Sequence, residues 1–141
     1  MKLFKGIADK EISEIDHSYK TLGFYGYGIY LTPHYQEAKF YTVGFKQQAI
    51  ILEYQLSAKL LEITLNDYYL GKLSPRLSQV LGQNQVPAPE LIRQAVALGF
   101  DGIYFNGFFE GGFQVVLSNA SGLKFVKSQC LVRKAASDFK S

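Results

Sequence analysis

Residues 26–41 read GYGIYLTPHYQEAKFY, with a glycine-rich turn, a short apolar strand and a helix start in succession. Tyr30 lies near the end of the predicted strand, residues 29–31, and Tyr41 lies on the helix that follows. Thr32 is the predicted N-cap and Pro33 the first helical residue. Two phenol rings placed in this way can hold one flat heterocycle, because offset stacking adds about 0.5–1.5 kcal/mol per pair beyond area burial.

The remainder of the chain alternates short strands with fewer helices. Hydrophobic periodicity predicts strands at residues 2–6, 49–56, 60–65, 101–105 and 113–118, and a last extended pair at 123–133. Helices are predicted at residues 8–19, 32–43, 76–81 and 90–98, and residues 21–28 are predicted to be a loop. Because short strands outnumber helices, we expect an α+β fold with a mostly antiparallel core. The length of 141 residues fits one domain, residues 1–141.

Composition excludes several classes of protein. Apolar residues make up 48% and charged residues 19%, so a sizeable core can be buried. The net charge of +3 is too small to indicate a nucleic-acid partner. The single cysteine, Cys130, excludes an intramolecular disulfide, and its apolar neighbours predict burial. Cys130 lies far along the chain from both histidines, so we expect no metal site. No signal peptide or membrane span is visible, so we expect a cytoplasmic location, with delivery as an effector left open.

Four blocks of the sequence resemble one enzyme superfamily. Residues 26–41 resemble the second signature block of the diphtheria-toxin-like and poly(ADP-ribose)-polymerase-like ADP-ribosyltransferases. Residues 3–6 (LFKG) resemble the first-strand block, which usually carries His-Gly or Arg-Gly. Residues 98–103 (LGFDGI) are similar to the family's helix-to-strand step, and residues 112–117 (GFQVVL) to the strand that opens with its catalytic glutamate. The blocks occur in the family's order.

The resemblance implies ADP-ribosyltransferase-like split antiparallel β-sheets with peripheral helices around an NAD cleft. It implies that the nicotinamide ring of NAD+ lies between Tyr30 and Tyr41, and that the backbone of Gly6 binds its carboxamide. Lys5 would meet the adenosine ribose or the diphosphate, and Gln114 the nicotinamide ribose. The implied catalytic residues are therefore Gln114, Tyr30 and Lys5, and the implied cofactor-binding residues are Lys5, Gly6, Gly28, Tyr30, Ala38 and Tyr41.

The activity that the resemblance implies is mono-ADP-ribosyl transfer from NAD+ to a macromolecular acceptor, a protein rather than a nucleic acid. Gln114 stands where the family carries glutamate, and a neutral acceptor is roughly half as strong as a charged one. Three explanations stay open. The chain is a slow transferase in which Gln114 orients the ribose, an inactive fold that binds NAD+, ADP-ribose or a protein, or a form with an engineered glutamine. Glu110 could supply the missing carboxylate or is an ordinary exposed glutamate.

Plainer interpretations of the same residues also stand. Tyr30 and Tyr41 could be ordinary core aromatics. Phe108, Phe109 and Phe113 could present a surface to an acceptor or fold back on the cleft. A transferase acting on nucleic acid is a third candidate function, since aromatic side chains in a basic groove bind single strands. His17 and His34 lack a nearby nucleophile and are not expected to be catalytic.

Overall fold

A computed structural model describes residues 1–10, 12–42, 48–64, 66–69, 71–106 and 113–132. The strands are β1 (Lys2–Ala8), β2 (Thr21–Gly23), β3 (Gly26–Leu31), β4 (Gln48–Leu56), β5 (Leu60–Thr64), β6 (Tyr68–Tyr69), β7 (Lys72–Leu73), β8 (Gly102–Asn106), β9 (Val115–Leu117) and β10 (Leu123–Val132). The helices are α1 (Tyr35–Phe40), α2 (Pro75–Leu81) and α3 (Leu91–Ala97), with 3₁₀ turns at Ile12–Glu14 and Ala88–Glu90.

Two sheets contain most of the strands. The first has the order β1-β4-β10 and is antiparallel throughout. The second has the order β2-β3-β9-β8-β5, and only its β5–β8 pair is parallel. Strands β6 and β7 form a small hairpin. The expected α+β class with mostly antiparallel sheets is therefore confirmed.

The second sheet lies between two hydrophobic cores. Because side chains alternate along a strand, β9 sends Val115 and Leu117 into one core and Val116 into the other. The first of these cores also takes residues from β1, β3 and β4, so it fills the space between the two sheets. The other takes residues from α2 and α3. Tyr30 packs against the helical side, whereas its neighbours Ile29 and Leu31 face the first sheet.

Two local predictions near the N-terminus were wrong. The helix predicted at residues 8–19 is replaced by the end of β1 and one 3₁₀ turn, because two apolar residues three apart bury too little surface to hold a helix. The predicted loop at residues 21–28 is the β2–β3 hairpin. Its glycines serve close approach: a Cβ at Gly28 would lie 2.7 Å from the Leu117 carbonyl oxygen, on the neighbouring strand β9.

The bounds of α2 and α3 were predicted to within a residue or two, whereas those of α1 were not. Ser74 caps α2 by accepting a hydrogen bond from the Leu77 amide, and Gly82 ends it in the left-handed conformation. Helix α1 begins later than predicted, with His34 rather than Thr32 as its N-cap, and Tyr41 closes it. The predicted extension is wrong at residues 41 and 42, which form a turn after the helix, and residue 43 lies outside the described residues.

Strand β10 corrects two further predictions. Residues 123–132 form one strand rather than an extended pair, and the predicted last residue, Arg133, lies outside the described ranges. Cys130 is exposed, not buried, because the sheet ends at β10 and Cys130 is left uncovered there. Within the described ranges, no helix is long and apolar enough to cross a membrane.

Candidate functional site

A pocket of about 280 Å³ opens between β1, the β2–β3 hairpin and α1. Five of the predicted catalytic and cofactor-binding residues line it, namely Lys5, Gly6, Tyr30, Ala38 and Tyr41. Its volume is near the lower end of the roughly 300–1,000 Å³ typical of ligand sites. The two sheets part at this point. An isolated β-bridge between Phe4 and Thr32 joins β1 to the end of β3. Beyond this bridge, β1 no longer pairs with that segment.

The ring of Tyr30 is held rigidly on one side of the pocket. Its hydroxyl donates to the Gly26 carbonyl oxygen at 2.6 Å and accepts from the Tyr25 amide at 3.1 Å. The ring covers Gly23, where a Cβ would lie 2.3 Å from its Cζ atom. Phe113 meets it edge to face, with ring centroids 4.6 Å apart. Burial raises the pKa of the Tyr30 phenol above its ordinary value.

Tyr41 also lines the pocket. It follows the last turn of α1 and is 50% exposed, so part of its ring is accessible to a ligand. Partial burial of the ring raises the pKa of the Tyr41 phenol, and the nearby carboxylate of Glu37 raises it further. The pocket lining thus contains one phenol held by two hydrogen bonds, that of Tyr30, and one half-exposed phenol, that of Tyr41. The alternative that both tyrosines are ordinary core aromatics fits Tyr41 poorly.

Gly6 lets α1 approach β1 closely. A Cβ at this position would lie 2.0 Å from the Ala38 carbonyl oxygen, inside any allowed contact distance. Ala38 itself is fully buried, which completes the close contact between the strand and the helix. The close contact between β1 and α1 at the pocket therefore depends on glycine at position 6.

The peptide groups of Gly6 face the pocket side of β1. The peptide groups of odd-numbered residues in β1 hydrogen-bond to β4. The same pattern continues just past the strand, where the Asp9 amide donates to the Gln48 carbonyl oxygen at 2.7 Å. Phe4 faces the other way and exchanges hydrogen bonds with Thr32, at 2.7 and 3.1 Å. Because peptide orientation repeats every second residue, the N–H and C=O of Gly6 project from the same edge as those of Phe4. No hydrogen bond joins them to another described residue.

Lys5 brings a positive charge to the pocket. Lys5 is half-buried, and this burial, followed by repulsion from Lys10, lowers the pKa of its ammonium group. It forms no ion pair with any residue in the described ranges. A partly desolvated cation without a protein partner suits an anionic ligand group.

Two of the predicted site residues lie outside the pocket lining. Gly28 packs against β9, where it allows the two strands to meet closely. Gln114 is 5% exposed, and its backbone joins β3 to β8: its amide donates to the Leu31 carbonyl oxygen at 2.9 Å, and its carbonyl accepts from the Phe105 amide at 2.8 Å.

The side chain of Gln114 leads to a residue that sequence reasoning missed. Its Nε2 atom donates to Glu37 Oε1 at 3.4 Å, and the other carboxylate oxygen of Glu37 accepts from the Thr32 hydroxyl. Thr32 lines the pocket, so the three side chains form a polar chain beside it. Glu37 and Gln114 are 77 residues apart in sequence, and no local pattern links them.

The remaining candidates are spread over the molecule. His34 is exposed at the N-cap of α1, and His17 stacks on Phe125 with its Nδ1 2.7 Å from the Tyr54 hydroxyl oxygen. Phe113 folds back against Tyr30, whereas Glu110, Phe108 and Phe109 lie outside the described residues. Within the described ranges, no group of three or more His, Cys, Asp or Glu residues could hold a metal ion.

Comparisons with protein-family models, with curated proteins and with solved structures give no match to this chain. The function proposed below therefore rests on the residues of the pocket.

Proposed function

We propose that this protein is a mono-ADP-ribosyltransferase that binds NAD+ in the pocket between β1, β3 and α1. The observation that carries the proposal is the assembly of Lys5, Gly6, Tyr30, Ala38 and Tyr41 around one cavity. These residues come from a strand, a hairpin and a helix, and the resemblance to the transferases had named all five. We further propose that the two sheets correspond to the family's split sheets, with the pocket at the point where they part.

The nicotinamide end of NAD+ fits the features of the inner pocket. Its ring stacks between the phenols of Tyr30 and Tyr41, a contact worth about 0.5–1.5 kcal/mol per aromatic pair. Its carboxamide carries one carbonyl and one NH₂ group. The free N–H and C=O of Gly6 match these two groups, and a peptide edge binds such a ligand as it binds a neighbouring strand.

The charged part of NAD+ fits Lys5. A diphosphate would supply the ion-pair partner that half-buried Lys5 lacks among the described residues, although lysine acts as a point charge without the planar fork of arginine. Electrostatic attraction of this kind weakens in salt, so affinity for NAD+ should fall as ionic strength rises.

The transfer step breaks the bond between the nicotinamide nitrogen and C1′ of the ribose. The bonding electron pair leaves with nicotinamide, which becomes neutral, and positive charge develops on the ribose. The acceptor nucleophile then bonds to C1′ and releases a proton. Gln114 accepts a hydrogen bond from a ribose hydroxyl in this account, and as a neutral group it stabilises the developing charge less than a carboxylate does.

A protein acceptor fits the surface beside the pocket. Leu22 and Phe24, on the β2–β3 hairpin, are 75% and 61% exposed, and Phe24 also lines the pocket. Exposed apolar side chains grouped at the mouth of a site favour contact with another protein. We therefore place the acceptor over this hairpin.

The proposal is tested by nicotinamide release from NAD+ with water as the acceptor. We expect release above the buffer rate, and an increase in KM of about tenfold in Tyr41→Ala through loss of stacking. Tyr69→Ala is the matched control, since Tyr69 is 73% exposed on β6 and does not line the pocket. A sample that binds NAD+ and releases no nicotinamide would contradict transfer.

A second candidate function is NAD+ or ADP-ribose binding without turnover. It is favoured by the neutral Gln114, which is buried and bonded through both its backbone and its side chain. Gln114→Glu separates the two candidates. Activity that appears only in the variant identifies the present chain as a binding module, whereas activity in both identifies a transferase.

A further inference from the structure

Glu37 is the only carboxylate that hydrogen-bonds the Gln114 side chain in the described part of the chain. One of its carboxylate oxygens accepts a hydrogen bond from the Gln114 side-chain amide, and the other accepts one from the Thr32 hydroxyl. The Thr32 hydroxyl oxygen also accepts from the His34 amide at 3.1 Å, so its single proton is left for Glu37. Glu37 is thus held from two sides at the junction between β3 and α1.

We propose that Glu37 is a positioning residue that acts through Gln114, an inference that rests on the transferase function proposed above. A glutamine amide can present either its NH₂ or its carbonyl group to a ligand. An ionised carboxylate is acceptor-only, so it takes the NH₂ end and leaves the carbonyl for a ribose hydroxyl. With the opposite orientation, Gln114 would direct hydrogen-bond donors at the site where positive charge develops.

Glu37 also supplies a negative charge next to the neutral amide. Hydrogen bonds in series polarise one another, so a carboxylate on the NH₂ group strengthens the carbonyl as an acceptor. Three hydrogen-bonded side chains, those of Thr32, Glu37 and Gln114, therefore share the role of the single glutamate expected in this family. The test must show that Glu37 acts through Gln114 and not merely on the fold.

A double-mutant cycle provides this test. Steady-state nicotinamide release from NAD+, with water as the acceptor, is measured for wild type, Glu37→Gln, Gln114→Ala and the double variant. In Glu37→Gln we expect kcat to fall about 10–100-fold, the range found when a partner of a functional group is removed. We expect KM for NAD+ to change less than about threefold, since stacking and diphosphate contacts are untouched. In the Gln114→Ala background the same substitution should have almost no effect on kcat.

Glu62→Gln is the matched control. Glu62 is an exposed carboxylate on β5, which lies at the opposite edge of the second sheet from the β2–β3 hairpin, and its side chain bonds to Asn106. Its kcat should equal that of wild type. If Glu37→Gln does not fold, Thr32→Val replaces it in the cycle, because it removes the hydroxyl that holds the same carboxylate.

Each result supports or overturns the inference. A loss of kcat that disappears in the Gln114→Ala background supports it. Equal loss in both backgrounds, a rise in KM without loss of kcat, or a kcat of Glu37→Gln within about twofold of wild type overturns it and leaves the transferase function standing. No nicotinamide release from folded wild-type protein overturns the function and this inference together.

Discussion

At Tyr30, one hydroxyl group links two peptide groups of the β2–β3 turn. It donates to the Gly26 carbonyl and accepts from the Tyr25 amide, and the phenol is half buried. Tyr30→Phe removes both bonds and should lower the free energy of unfolding by about 1–2 kcal/mol. Urea denaturation measures the loss. Tyr41→Phe, at a half-exposed ring, should change stability by less than about 0.5 kcal/mol, and equal losses would contradict the described role of the Tyr30 hydroxyl.

At Gly6, a side chain would meet the backbone of α1. Because a Cβ would lie 2.0 Å from the Ala38 carbonyl oxygen, Gly6→Ala should push α1 away from β1 and cost about 1–3 kcal/mol of stability. It should also abolish NAD+ binding measured by calorimetry. Gly82→Ala is the control: Gly82 has open space around it, so its cost is conformational and binding should persist. Unchanged NAD+ affinity in Gly6→Ala would place the ligand elsewhere.

The turn before α2 depends on one buried carboxylate. Burial raises the pKa of Asp67, but hydrogen bonds from Arg76, Ser74 and Thr64 outweigh it and lower the pKa overall. Asp67→Asn should cost about 2 kcal/mol, since the donors around it lose a charged acceptor. Urea denaturation at neutral pH measures this change. Glu90→Gln breaks an exposed ion pair with Arg93 and should cost less than about 0.5 kcal/mol. A loss of stability in Glu90→Gln as large as that in Asp67→Asn would contradict the stronger contribution of the Asp67 carboxylate.

Elements with strong local signals were predictable from sequence. The start and end of α2 follow from Ser74 and Gly82, and β4 follows from its apolar run. In the β2–β3 hairpin only residues 29–31 were predicted as a strand, because the pairing at residues 21–28 depends on the close approach of Gly28 to β9, far along the chain. Helix α1 has six residues, too few to be stable alone, and packs on β1 through Ala38.

Only the resemblance of the sequence to a known family predicted the pocket residues as one set. Spacing brought Tyr30 and Tyr41 together on a strand and a helix, but nothing local joined Lys5 and Gly6 to them. Glu37 was missed because its partner lies 77 residues away. The exposure of Cys130 was missed because an apolar run does not show which strand stands at the edge of a sheet.

At the scale of the whole molecule, buried phenols make stability depend on alkaline pH. Burial raises the pKa of Tyr54, and also those of Tyr30, Tyr41 and Tyr68. Above about pH 10 the unfolded chain loses phenol protons that the folded chain retains, so the free energy of unfolding must fall as pH rises. Denaturation midpoints between about pH 10 and 12, where phenols of the unfolded chain titrate, measure this. Tyr54→Phe should flatten the fall, and a rise in stability over this range would contradict the burial of these rings.

A crystal structure with NAD+ bound tests the central claim most directly. We expect the nicotinamide ring between Tyr30 and Tyr41, its carboxamide on the peptide groups of Gly6 and its diphosphate beside Lys5. A nicotinamide ring bound elsewhere on the protein, or a pocket that stays empty at saturating NAD+, would contradict the account.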